Sequence, residues 1–456
     1  KGSFNRNYLR MKKRAIILGL ICLSFSLSIS HNKVLAQTET LKISLAEAQK
    51  LAIEKNFSHL NAKLDLEIAK KKVWETTATG LPQVNAGVDL SIILNELPTL
   101  SIPGPLGPDG QPTVMNIEVG EKANATFSVT VSQLVFSGPY IVGLQASKAY
   151  KNLSENALAK SEEDIKYNVS SAYYTALLLM ETKGILDSSV NNLQKLYSDS
   201  EAMLKSGFID QTAKDQIKVS LSLLESSNNE TGRQVQSAIN LLKFHLGIDI
   251  NSEILLSDEL ETFTNSLSPT LYQTSSINTD NNTDLRIMAN QVELSELQLK
   301  LEKSNFLPTI SAFATYQRLA KQPVVNFTPE ALVGASLSLP IFSSGMRRSK
   351  VQQAKLELLK STNSFSQVQQ SLELEFANAK AQYLTAYNKF QSQIENKDLA
   401  NRVYKNYQVQ YSKGVASQRD VIEANDKFLQ AVGNYIGATV ELLNAKLMLD
   451  KITGNL

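Results

Sequence analysis

The sequence predicts a mainly α-helical protein with a membrane β-barrel part, in which long antiparallel coiled-coil helices accompany four β-strands in each chain. Three observations carry this. Two stretches, Leu144 to Ser206 and Met346 to Lys413, hold a helical apolar period far beyond the length of a globular helix. Four runs of about ten residues alternate apolar and polar side chains, as strands with one apolar and one wet face do. The whole series is written twice, with an offset of roughly 207 residues.

The order of elements starts with an address. Residues 1–10 precede the initiator-like Met11 and are set aside. From Met11 the chain reads Met-Lys-Lys-Arg, then an apolar stretch from Ala15 to Ile29, then Val34-Leu35-Ala36 before Gln37, the three parts of a cleavable secretory signal. Cleavage is expected after Ala36. The single cysteine, Cys22, follows Ile21 instead of a small residue, so no lipid anchor is expected, and the mature chain has no thiol for disulfide or nucleophilic chemistry. Lys1, Arg6, Arg10, Lys12, Lys13, Arg14 and Lys33 leave with the signal, and no acid does. A formal charge of +2 therefore becomes net acidic, which argues against nucleic acid as a partner. Downstream there is no apolar run of about 18–20 residues, the length of a membrane helix. Any span must then be a closed β-barrel, because lipid offers no partner to unpaired backbone groups.

The first repeat covers 37–249: a helix, strands at about 83–94 and 123–134, a long helix and a return helix. A connector rich in Ser, Thr, Asn and Asp covers 250–284. The second repeat covers 285–456, with strands at about 309–318 and 330–339. Landmarks match across the halves: Gly80-Leu81-Pro82 with Phe306-Leu307-Pro308, Val135-Phe136-Ser137 with Ile341-Phe342-Ser343, and Gly247 with Gly454. In the first strand the even positions Val84 to Ile92 are apolar; in the second, the odd positions Ala123 to Val131. Ile310, Ala312, Ala314 and Tyr316 continue the pattern with Phe313 as an exception, and Ala331 to Leu339 with Leu332 as another. On strand signals alone a soluble sandwich would alternate in the same way. Asn95 to Glu121 holds five prolines and is expected to be an irregular loop outside the cell.

From Met346 to Lys413 there is neither Gly nor Pro, and Phe365, Val368, Leu372, Phe376, Ala379, Tyr383, Tyr387, Phe390 and Ile394 form one stripe. Such a helix would reach on the order of 100 Å at about 1.5 Å per residue. Its stripe needs neighbours. Ala46 to Thr79, Thr212 to Leu246, Asp284 to Asn305 and Asp420 to Lys451 are the shorter helices that would supply them. From Leu144 to Ser206 the first half repeats this pattern, with Gly184 its only interruption. Four strands cannot close even an eight-stranded barrel, so at least two chains would share one.

Taken in this order and duplicated, these features resemble the TolC-like outer-membrane efflux protein family over about residues 40 to 456. The resemblance implies a homotrimer whose 12-stranded barrel continues into a helical α-barrel across the periplasm. It further implies a passive duct in the outer membrane of a Gram-negative bacterium, in contact with outer-membrane lipid and opened by a periplasmic adaptor (a membrane fusion protein) and an inner-membrane pump, in tripartite efflux or type I secretion.

In that family the turns after the long helices form the periplasmic mouth. Here they are Lys205-Ser206-Gly207-Phe208 and Ser412-Lys413-Gly414-Val415, and the resemblance assigns adaptor contact to Gly207, Phe208, Gly414 and Val415. Either glycine also reads as a plain helix C-cap. Asp420 and Glu423, three apart on one helical face, fall where the family carries entrance acids. Threefold symmetry would stack them into rings that favour cations; taken alone, the pair reads as a solvated surface. Tyr411 matches a gating tyrosine, but its partner position reads Ala213 and a gating arginine position reads Ala416. Asp210, Asp215 and Arg419 are the nearby substitutes.

No enzyme is expected. After cleavage only His59 and His245 remain, no phosphate loop, metal spacing or nucleophile triad stands out, and Glu162-Glu163 reads as a solvated face. Neither a cofactor nor a metal is expected. The alternative reading is a periplasmic or surface coiled-coil scaffold or adhesin without channel activity, which would not need four amphipathic strands.

Overall fold

The computed structural model describes residues 41–108, 110–265, 267–270, 272, 282–323, 326 and 328–456. The signal segment with Cys22 and its expected cleavage point lies outside the described residues, as does 273–281 of the connector. The chain divides into two compact units, Lys1–Lys42 with Asn251–Leu255, and Ile43–Ile250 with Leu256–Leu456. In the first, the Leu41 N–H donates to the Glu253 carbonyl at 3.0 Å. The second holds the long helices and the sheet.

In chain order the strands are β1 (Leu41–Ile43), β2 (Gln83–Ile92), β3 (Thr99–Leu106), β4 (Pro112–Glu118), β5 (Ala123–Ser137), β6 (Ile254–Leu256), β7 (Thr309–Leu319) and β8 (Ala331–Ser338). The helices are α1 (Leu45–Lys55), α2 (Phe57–Thr79), α3 (Gly138–Lys205), α4 (Gln211–Leu246), α5 (Leu260–Thr264), α6 (Thr283–Ser304), α7 (Met346–Ser412) and α8 (Gln418–Thr453).

The single helix expected over 46–79 is two. Asn56 is extended (φ −63°, ψ 127°) and its side-chain oxygen accepts the N–H groups of Ser58 and His59. An amide that satisfies the donors of a new helix competes with continuing the old one, so the chain breaks there. Gly184 lies inside an unbroken α3 of 68 residues. With α7 at 67 residues, both long helices reach about 100 Å at the usual rise.

The sheet is antiparallel in the order β2-β5-β7-β8, leaving β2 and β8 as edges. Register explains the alternation. Val84 faces Val131, Ala86 faces Val129 and Val88 faces Phe127 across β2 and β5. Val131 then faces Ala314 and Val129 faces Tyr316 in β7, and Ala314 faces Val333 in β8. The alternating apolar residues of all four strands therefore share one face, and Asn85, Ser128, Thr130, Thr315 and Ser336 take the other. Of the two exceptions, Leu332 lies opposite Thr315 and Phe313 opposite Gly334, where an added Cβ would come 2.7 Å from the ring. The glycine leaves a hollow that the phenyl ring covers on the wet face.

The proline-rich segment 95–121 is not irregular. Its β3 and β4 pair as a separate two-stranded sheet, with Leu100 opposite Ile117, Ser101 opposite Asn116 and a register shift between Pro103 and Leu106. Each strand of a two-stranded sheet is an edge, where proline's missing N–H costs no ladder bond.

The helices pack in antiparallel pairs, α3 with α4 and α7 with α8. Toward their far ends one core joins all four: Leu186, Leu193 and Leu196 of α3, Ile217, Leu221 and Leu224 of α4, Tyr404 of α7, and Val421 and Ala424 of α8. The connector is more than a polar loop. Leu260, Leu267 and Tyr272 are buried, Phe263 stands edge-on to Tyr174 at 5.1 Å, and the Tyr272 hydroxyl donates to Asp450 Oδ1 at 2.5 Å.

Candidate functional site at the helix tips

Both long helices end in the same way. Gly207 takes φ +74° and Gly414 φ +73°, the left-handed backbone that L residues disfavour. The Gly207 N–H donates to Leu204 and the Phe208 N–H to Met203, at 3.0 and 2.9 Å; Gly414 and Val415 repeat this with Tyr411 and Gln410, both at 2.9 Å. These crossed bonds satisfy the last carbonyls of each helix. An added Cβ on either glycine would meet nothing within 4 Å, so the conformation, not space, requires glycine.

Three residues beyond each glycine the return helix is capped. Asp210 Oδ1 accepts the Ala213 N–H at 2.8 Å. Ser417 and Asp420 form a reciprocal capping box, in which the Asp420 carboxylate accepts the Ser417 N–H at 2.8 Å and its hydroxyl at 2.7 Å. Between glycine and cap, Phe208 and Val415 occupy equivalent positions and are 78% and 75% exposed. Each tip thus offers one bare apolar side chain.

The sequence-predicted residues separate into distinct surroundings. Asp420 is committed to its cap, and the hydrogen bonds from Ser417 hold its carboxyl below the ordinary carboxylate range. Glu423 is exposed and paired with Lys427 at 2.8 Å; that lysine, then Arg419, lowers its pKa. Asp215 accepts from Gln211 Nε2 at 2.8 Å and lines, with Thr212, Val219, Arg419 and Ile422, a groove between α4 and α8. Asp215 and Arg419 therefore share a groove without an ion pair among the described residues. Tyr411 lies elsewhere, in a groove with Asn192, Asp199, Tyr404 and Gln408. Its hydroxyl donates to Met203 Sδ at 3.2 Å, and burial pushes its pKa up. The structure does not gather Tyr411, Asp210, Asp215 and Arg419 into one network.

Sequence reading missed several participants. Met203 carries no periodic or chemical mark. Lys427 was legible as the i+4 partner of Glu423, and the capping box was legible as Ser417-x-x-Asp420. Gln418 and Asn425, on the first turns of α8, are buried, and among the described residues Asn425 Oδ1 has no hydrogen-bond partner. Of the histidines, burial lowers the pKa of both His59 and His245, and both lie on helices remote in sequence from the tips.

The chain thus combines a four-stranded sheet with one apolar face and two edges unpaired within the chain with paired helices of about 100 Å that end in matched tips. No described helix is long and apolar enough to cross a membrane. Residues 276–455 match the family described as Outer membrane efflux protein. No curated protein matches the chain.

Among solved structures, the Campylobacter jejuni CmeC outer membrane channel shares the fold at TM-score 0.71 and 16% identity, over 90% of this chain and 85% of that one. The outer membrane protein VceC of Vibrio cholerae gives 0.68 and 14%, over 90% and 96%. The open state of the Neisseria gonorrhoeae MtrE outer membrane channel gives 0.69 and 16%, over 90% and 88%. The second half of the chain thus matches the efflux family, and the chain has the fold of these channels.

Proposed function

We propose that this protein is the outer-membrane channel of a tripartite efflux or type I secretion system, a passive duct from the periplasm to the exterior. The observation that carries the reading is the four-stranded sheet with unpaired edges at β2 and β8. Edges cannot stay bare in lipid, and three copies side by side supply twelve strands, enough to close a barrel. The family match and the shared fold support the same reading.

The tips would be the periplasmic entrance. Phe208 and Val415 suit contact with an adaptor, because exposed apolar side chains at matched positions can be covered by a partner. Asp420 and Glu423, repeated by symmetry, would line the entrance with carboxylates and favour cations, with Lys427 offsetting part of that charge. Energy for transport would come from an inner-membrane pump, and the adaptor would relay its engagement to the tips.

The test is the state of the protein extracted from membranes. A detergent-dependent trimer by native mass, with heat-modifiable migration on denaturing gels, is expected. A water-soluble monomer would overturn the barrel and favour a periplasmic scaffold.

A further inference from the structure

We propose that the outward end of β7 holds a binding site for a phosphorylated lipid headgroup, with Arg318 as the anion-binding residue. The inference rests on the barrel reading above and goes beyond it by assigning a ligand to the lipid-facing surface.

Register places Arg318 directly opposite Phe127, which faces Val88 on its other side. Those neighbours belong to the apolar face of the sheet. On that face β2 presents Val84 to Ile92, β7 presents Ile310, Ala312, Ala314 and Tyr316, and β8 presents Ala331 to Leu337. Arg318 is the one charged side chain on this face of the four strands. Asp89, the acid of β2, pairs with Thr126 and points to the opposite face. Among the described residues Arg318 has no ion-pair partner. A guanidinium on a lipid-facing surface needs an anion, and its planar fork matches two phosphate oxygens at once.

Depth agrees with this. β7 has 11 residues, and Arg318 is the tenth, counted from the end that follows α6. A tilted membrane strand needs about 9–11 residues to cross. Arg318 therefore emerges at the outer headgroup level, where a lipid-facing charge is tolerated, and not at the midplane, where it is costly. Tyr316, two residues earlier on the same face, takes the interfacial position that aromatic residues favour.

Below the guanidinium, Ala86, Val88, Phe127, Val129 and Tyr316 line a groove across β2, β5 and β7 that also includes Arg318. An acyl chain lying in this groove would place its phosphate against Arg318. A lipid carrying both parts fits better than a free anion, because the groove is apolar up to the arginine.

Native mass spectrometry of the detergent-solubilised assembly tests this with three probes: bisphosphorylated lipid A, dephosphorylated lipid A and inorganic phosphate. Bisphosphorylated lipid A is expected to bind, and Arg318→Gln to weaken it about tenfold or more. Arg318→Lys should retain part of the affinity, and dephosphorylated lipid A should bind the wild type no better than the bisphosphorylated lipid binds the glutamine variant. Equal binding by wild type and Arg318→Gln would overturn the site. Inorganic phosphate competing as well as the lipid would overturn its assignment to a headgroup. Heat-modifiable migration of the same samples separates these results from failure of the barrel reading, since a protein without that behaviour would have lost the membrane face itself.

Discussion

The hydroxyl of Tyr411 donates to the sulfur of Met203 at 3.2 Å, tying the last turn of α7 to the last turn of α3. Both residues lie beside a tip glycine, and the Tyr411 ring packs on the core shared by the four helices. The contact adds a polar link between the two tips to the apolar core they share.

Tyr411→Phe keeps the ring and removes the contact. A hydrogen bond of this kind is worth about 0.5–1.5 kcal/mol, so the population of open tips should rise up to roughly tenfold while melting temperature changes little. Opening frequency in single-channel records checks this. An unchanged frequency would mean that the contact does not restrain the tips.

The two turns make a sharper prediction. Gly207→Ala and Gly414→Ala each force an alanine into a left-handed backbone, at a cost of about 1–2 kcal/mol. Faster hydrogen exchange confined to the flanking helix ends is expected. Because an added Cβ meets nothing at either site, a loss much larger than this would point to contacts between chains at the tip.

Buried polar groups predict a gain. Asn425 is 1% exposed and its Oδ1 lacks a partner among the described residues, which costs about 1–3 kcal/mol of desolvation. Asn425→Leu, similar in volume, should raise the thermal midpoint by several degrees. A fall instead would show that the amide has a partner in the assembled state.

Much of the helical scaffold was legible because a Gly- and Pro-free stripe of nearly 70 residues has no other reading, and the strand faces because alternation survives in register. Asn56 was not legible as a break, since an asparagine inside a helical pattern looks like any polar surface residue until its side chain caps the next helix. The β3–β4 hairpin was hidden by prolines that only edge strands accept. At the tips, the glycine turns and the shared face of Asp420 and Glu423 were readable from spacing. The Tyr411–Met203 contact was not, because it depends on how two distant helices are placed.

Acid titration has a definite sign. Asp420 and Glu423 both have folded pKa values held below their ordinary ones, by Ser417 and Lys427 respectively. Their charge, and the stabilisation it gives, is fully present above the ordinary carboxylate range of about 4 and is lost only as pH falls through the depressed values. Cation selectivity should therefore persist to pH values below the ordinary carboxylate range of about 4. Ser417→Ala should make it fade at a higher pH, and reversal potentials across a pH series measure the difference.

The most direct test of the central claim is planar-bilayer conductance of the detergent-purified protein, before and after Asp420→Asn with Glu423→Gln. A small, cation-selective conductance that loses its selectivity in the double variant is the predicted result. Absence of any conductance from protein that stays soluble without detergent would contradict an outer-membrane duct.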